Sequence, residues 1–149
     1  MTVPDLRAAG AHALWNRWID LWNGDLSAAD EVLADRITVH SPPLSKSVDP
    51  GAVEDRAGAL ALVSGVRSFA DLRFRTEVGP LVDGDHVVGC WRFTGPYLGG
   101  LAESPAEPGT VLDNRGIDVL RLEAGRVREW WSAAENIGLL ASLGLIHVG

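Results

Sequence analysis

The sequence predicts an α+β domain, with helices first and a curved antiparallel meander packed against them. Two observations carry that prediction. Apolar residues recur at helical spacing in the first part of the chain, and four long alternating segments joined by glycine turns fill residues 72–134. With 149 residues and no repeat, linker or low-complexity tract, the chain reads as one domain, 1–149, large enough for a real core.

The elements follow in order. Residues 5–22 read as a helix, with Leu14, Trp18, Leu21 and Trp22 on one face and Trp15 bordering it. Asn23-Gly24 stops it. Ser27 is expected to cap a second short helix, 27–33, with Asp30 and Glu31 in its first turn. Residues 37–40 form a short strand, which Pro42-Pro43 halts because proline cannot donate to a sheet ladder. A loop over 44–51 leads to an alanine-rich helix over 52–66. Strands follow at 72–82 and 86–97, joined by Asp83-Gly84-Asp85, and at 110–122 and 126–134, joined by Glu123-Ala124-Gly125. The Gly- and Pro-rich segment 98–108 reads as a mobile surface connection that could lie over a pocket mouth. A short helix over 137–143 ends the fold.

Charge removes several function classes. Thirteen Lys and Arg against 20 Asp and Glu give a net charge of −7, which disfavours nucleic acid and anionic membranes as partners. The single cysteine, Cys90, excludes an intrachain disulfide and reads as a core residue. No stretch approaches the ~20 apolar residues of a membrane span. The start of the sequence lacks a leucine-rich signal segment, so a cytoplasmic location is expected. The four histidines show no metal-ligand spacing, and no metal or other cofactor is expected. Nucleotide-binding glycine loops and nucleophile elbows are also missing from the sequence.

Residues 116–144 carry the chemistry. Asp118 shares a strand face with Gly116, Leu120 and Leu122, while Ile117, Val119 and Arg121 share the other. A carboxylate among leucines either faces a pocket or pairs with a cross-strand arginine such as Arg92 or Arg75. Desolvation would raise its pKa, and an arginine would lower it. The return strand holds Trp130, Trp131 and Glu135. Counting in twos places Trp131, Ala133 and Glu135 on one face, with Trp131 towards the cavity and Trp130 outwards. Glu135 either joins that face or caps the last helix. Trp18, Trp22, Trp91 and Trp131 are the expected aromatic walls, with Arg92 and Arg115 as further substrate contacts. An outer face carrying Ile117, Val119 and Trp130 would be apolar, which predicts a homodimer through the convex side of the sheet.

Ordered short motifs carry a family resemblance. Trp22-Asn23-Gly24-Asp25, Ala70-Asp71-Leu72-Arg73-Phe74 and Gly84-Asp85-His86-Val87-Val88 come first. Gly95-Pro96-Tyr97-Leu98-Gly99, Gly116-Ile117-Asp118 with Arg121, Gly125-Arg126-Val127, Glu129-Trp130-Trp131 and Gly138-Leu139-Leu140 follow. Together they resemble the SnoaL-like polyketide cyclases of the nuclear transport factor 2-like superfamily. That resemblance implies a cone-shaped α+β barrel and cofactor-free aldol ring closure with an aspartate as acid/base, here Asp118. It maps a strand-end histidine onto His40, and it departs from the family at Tyr97, where a histidine is usual, and at Glu135, where an aspartate is usual.

The expected catalytic set is therefore Asp118, His40, Tyr97 and Glu135. Asp118 would take a proton beside a carbonyl, and His40 or Tyr97 would hydrogen-bond the enolate. The lead function is a cyclase or isomerase of secondary metabolism acting on a hydrophobic polyketide-like molecule. One alternative is an epoxide hydrolase or epoxide-opening cyclase using Asp118 and Glu135 with an arginine. The other is a non-catalytic binder of an apolar ligand.

Overall fold

The computed structural model of the protein describes residues 6–149. Helix α1 runs Leu6–Trp22, so the expected start at Asp5 lies outside the described residues. Next come α2 (Ala29–Val32), β1 (Leu33–His40), a single 3-10 turn (Pro50–Ala52) and α3 (Arg56–Phe69). Four strands then build most of the sheet: β2 (Arg73–Asp83), β3 (His86–Pro96), β4 (Val111–Glu123) and β5 (Arg126–Ala134). Helix α4 (Asn136–Ser142) follows.

The sheet order is β1-β5-β4-β3-β2, and its inner face packs on α1. It is not wholly antiparallel, because β1 is twice the expected length and pairs parallel with β5. Two expected helix starts also move. Asp55 caps α3 by accepting from the Gly58 N–H, so that helix starts later than expected. Ser27 does not cap α2; it donates from both its N–H and its hydroxyl to Asp25.

The Trp22-Asn23-Gly24-Asp25 motif has a mechanical explanation. Gly24 adopts a φ of 102°, a left-handed conformation that ends α1 and suits glycine. The Asn23 side chain donates to the Phe74 carbonyl (2.9 Å) and accepts from the Phe74 N–H (2.7 Å), so it serves β2 as a short extra strand would. Arg67 of α3 donates to the Trp22 and Leu72 carbonyls, joining the ends of both helices to the sheet.

Glycines let indoles lie directly on the sheet. A Cβ at Gly89 would sit 2.2 Å from Trp15 Cζ2, and one at Gly116 would sit 2.3 Å from Trp91 Cζ2. Trp15 is fully buried and donates to Thr76 Oγ1 (2.9 Å). Gly116 therefore fixes where Trp91 forms a wall. Gly116→Ala is expected to destabilise the fold by about 1–3 kcal/mol through overpacking. Gly65→Ala, with nothing within 4 Å of the added carbon inside α3, is expected to stabilise it. Urea unfolding of both variants checks the contrast; a neutral Gly116→Ala would refute the packing argument.

Candidate active site

Between the inner sheet face, α1, α3 and α4 lies an apolar cavity. Its volume is about 120 Å³, many times the roughly 10–15 Å³ that one water needs. Trp22, Phe74, Trp91, Phe93 and Trp130 form aromatic walls, and leucines of α3 and α4 complete them. Asp118 is the only ionisable side chain in the lining among the described residues.

Asp118 sits on the buried face of β4 and is only 4% exposed. Trp18 Nε1 donates to Oδ2 at 3.0 Å, and Ser132 Oγ donates to Oδ1 at 2.9 Å. The buried indole N–H groups of Trp91 and Trp130 lie close enough to favour the charged carboxylate, yet make no hydrogen bond of good geometry with any group. No cation pairs with Asp118 among the described residues. Burial therefore dominates and pushes the carboxyl above its ordinary range, while Trp91, Trp18, Trp130 and Ser132 oppose it as donors. Donors suit an acceptor-only carboxylate, and burial outweighs them, so the group is a base of raised basicity. Between the two sequence-level readings of Asp118, the cavity reading matches the geometry.

The aromatic walls depart from the expected register. Trp130, not Trp131, faces inwards: it is 7% exposed and meets Trp18 edge-on at 5.1 Å. The cause is a β-bulge. At the hairpin end Leu122 pairs with Val127, but beyond it Leu120 pairs with Trp130 and Asp118 with Ser132, so β5 carries one extra residue. A one-residue shift sends every later side chain to the opposite face. Arg128 and Glu129 are accordingly both half-buried in succession.

His40 leaves the site for the same reason, because it pairs with Trp131 across the β1–β5 ladder. It is exposed, its ring stacks on Trp131 (4.9 Å), and its Nε2 lies 2.6 Å from Glu129. His40 and then Arg121 hold the Glu129 carboxyl below its usual range. Arg92 and Arg115 also face outwards: Arg92 binds Asp113 through two contacts (2.8 and 2.6 Å), and Arg115 pairs with Glu77 at 3.0 Å. Glu135 is exposed beside α4, caps nothing through its side chain, and does not converge with Asp118.

Tyr97 is buried, but its hydroxyl accepts from the Leu101 N–H at 3.0 Å and does not line the cavity. It pins the 98–108 segment, which is not a free connection. Ser104 donates to the Leu143 carbonyl (2.6 Å), Glu103 accepts from the Ser47 N–H (3.0 Å), and Leu101 is buried at the cavity edge. Trp22 and Trp91 line the cavity as expected, whereas Trp18 stands behind it, holding Asp118. The sequence expectations omit Ser132, Asn114 and Asn136. Asn114 shares the Asp118 face of β4 by alternation alone, whereas Ser132 and Asn136 follow only once the β5 bulge is known.

Among the described residues, no group of three His, Cys, Asp or Glu side chains is placed to hold a metal ion. No helix among them is long and apolar enough to cross a membrane.

A curved sheet wrapped on an N-terminal helix, with one acid buried in an apolar cavity, defines the class: an α+β barrel of the nuclear transport factor 2-like type. A profile of the SnoaL-like domain matches residues 15–130, and the chain belongs to that family. A search of curated proteins finds no match. Among solved structures, a proposed polyketide cyclase from Acidithiobacillus ferrooxidans is 24% identical over 99% of this chain and 100% of its own, with a TM-score of 0.77. IdmH, a proposed polyketide cyclase from Streptomyces antibioticus, is 22% identical over 90% of this chain and 98% of its own (TM-score 0.72). AclR, a proposed hydroxylase from Streptomyces galilaeus, is 22% identical over 95% of this chain and 85% of its own (TM-score 0.74). At such identities the likeness is one of fold, and the differing reaction names leave chemistry to the site.

A raised folded-state pKa gives Asp118 a stabilising contribution that is full below its unfolded value and is lost as pH rises through the folded one. Asp118→Asn removes that loss. Its melting temperature, relative to the native protein, is expected to climb as pH rises above the ordinary aspartate range and to level off once the folded carboxyl has ionised. A difference independent of pH would show that Asp118 does not titrate in a buried setting.

Proposed function

We propose that the protein is a cofactor-independent cyclase or isomerase that moves protons on a hydrophobic polyketide-like molecule of secondary metabolism, with Asp118 as the base. One observation carries the reading: a single carboxylate, buried without a cation and ringed by donors, is the one ionisable group lining an aromatic cavity among the described residues. A flat ketone stacked between Trp22, Trp91 and Trp130 would present its α-carbon to Asp118. The carboxylate would take the α-proton, leaving an enolate. It would return the proton to another carbon in an isomerisation, or to the new alkoxide after the enolate carbon attacks a second carbonyl of the same molecule. Water exclusion and burial both raise the basicity of the carboxylate.

The epoxide-opening alternative requires two converging carboxylates, and the cavity lining supplies one. A passive binder has no need of a buried acid without a counter-ion, since such a group lowers stability. The site thus favours proton transfer over both.

Exchange of the methyl protons of 2-acetylnaphthalene in deuterium oxide, followed by proton NMR, tests this directly. The native protein is expected to accelerate exchange over buffer, and Asp118→Asn to lose about 100-fold or more of that acceleration. Equal rates in the two proteins would remove Asp118 as the base.

We also propose that two copies pair through the outer sheet face. Ladder pairs place Val78, Cys90, Ile117 and Ala133 in one row across that face, and Leu81, Val88, Val119 and Trp131 in the next. Val78, Leu81 and Ile117 are exposed there. Light scattering coupled to size exclusion is expected to give twice the chain mass; a mass of 15.9 kDa alone would remove the dimer.

A further inference from the structure

The cavity has a second polar point. Asn114 is 4% exposed, lines the cavity, and lies on the same face of β4 as Asp118. The ladder that pairs Gly116 with Ala134 and Asp118 with Ser132 brings Asn136 opposite Asn114, and Asn114 Nδ2 donates to Asn136 Oδ1 at 3.2 Å. Two cross-strand pairs and one side-chain contact just past the ladder therefore succeed one another along the floor: Asp118 with Ser132, then Gly116 with Ala134, then Asn114 with Asn136 of α4. The middle pair is small, and the Trp91 ring lies on Gly116. Two polar ends are thus separated by a flat aromatic floor. Four residues of strand set them about 13 Å apart along the backbone.

The hydrogen-bond inventory of the far end is incomplete. Asn114 Oδ1 accepts from the Arg115 N–H (3.0 Å), and one Nδ2 proton goes to Asn136. A primary amide carries two N–H donors, so each of the two asparagines keeps donor capacity beyond these bonds. A buried amide in an apolar cavity is costly unless an acceptor meets it.

We propose that Asn114 and Asn136 form a specificity-determining subsite that holds a carbonyl or ether oxygen at the end of the substrate remote from Asp118. The substrate class is then an elongated, flat, apolar molecule bearing oxygen functions at both ends, one beside the carbon that loses its proton and one at the asparagine pair. Assignment of the Asp118 end as the reacting end rests on the proton-transfer reading above; the acceptor preference of the asparagine end does not.

Calorimetric titration with 2-acetylnaphthalene and 2,6-diacetylnaphthalene separates these. The native protein is expected to bind the diketone about 3- to 10-fold more tightly, the worth of one hydrogen bond. Asn136→Ala and Asn114→Leu are expected to bring the two affinities within about 2-fold of each other, and Asp118→Asn to keep the preference. Asn136 is half-buried at the start of α4, so its variant serves should Asn114→Leu not fold. No preference in the native protein, or a preference unchanged in the asparagine variants, would overturn the subsite. Loss of proton exchange in Asp118→Asn alongside an absent diketone preference would leave the base standing and the subsite refuted.

Discussion

One interaction sets the terms for the rest of the structure: a carboxylate withdrawn from water and held by neutral donors alone. Asp118 gains hydrogen bonds from Trp18 and Ser132 and the proximity of two further indoles, but no opposite charge. That arrangement requires four elements to meet. Helix α1 brings Trp18, β3 brings Trp91, β4 brings the acid, and β5 brings Trp130 and Ser132. The sheet must curve for them to converge, and Gly116 lets the Trp91 ring approach the backbone, as Gly89 does for Trp15 beside it. Much of the local sequence reads as what is needed to place three indoles around one acid.

The same arrangement explains the unusual share of tryptophan. Indole is apolar enough to wall a cavity and still offers one donor, and it cannot ionise or accept a proton from Asp118. An arginine in the same place would lower the carboxyl's pKa and weaken it as a base. Strands β3 and β4 instead carry Arg92, Arg115 and Arg121 on the outer face, in Arg92–Asp113, Arg115–Glu77 and Arg121–Glu129 pairs. Charge is thus sorted by sheet face, with one acid inside and the ion pairs outside.

The fold was legible because its signals are local. Helical spacing in α1, the Asp83-Gly84-Asp85 turn and the alternation of β4 each state an element without reference to distant residues. Asp118 was legible for the same reason, since its strand face follows from counting within β4. The partners on β5 were not, because a bulge between the Arg121 and Leu122 pairings changes the parity of that strand. Counting through the hairpin without it exchanges Trp130 for Trp131, hides Ser132, and turns His40 inwards through its pairing with Trp131. Arg92 and Arg115 needed only the known parity of their own strands, but their outward ion pairs are long-range contacts. Tyr97 follows inward parity, yet its hydroxyl is taken by a loop backbone that no periodicity reveals.

The central claim is that Asp118 ionises in a buried, cation-free setting. Carbon-13 NMR of the aspartate carboxyls, titrated in the native protein and in Asp118→Asn, measures that without any substrate. One carboxyl is expected to titrate above the ordinary aspartate range and to be missing from the variant. If every aspartate carboxyl in the native protein titrates within or below that range, the account of the site is contradicted.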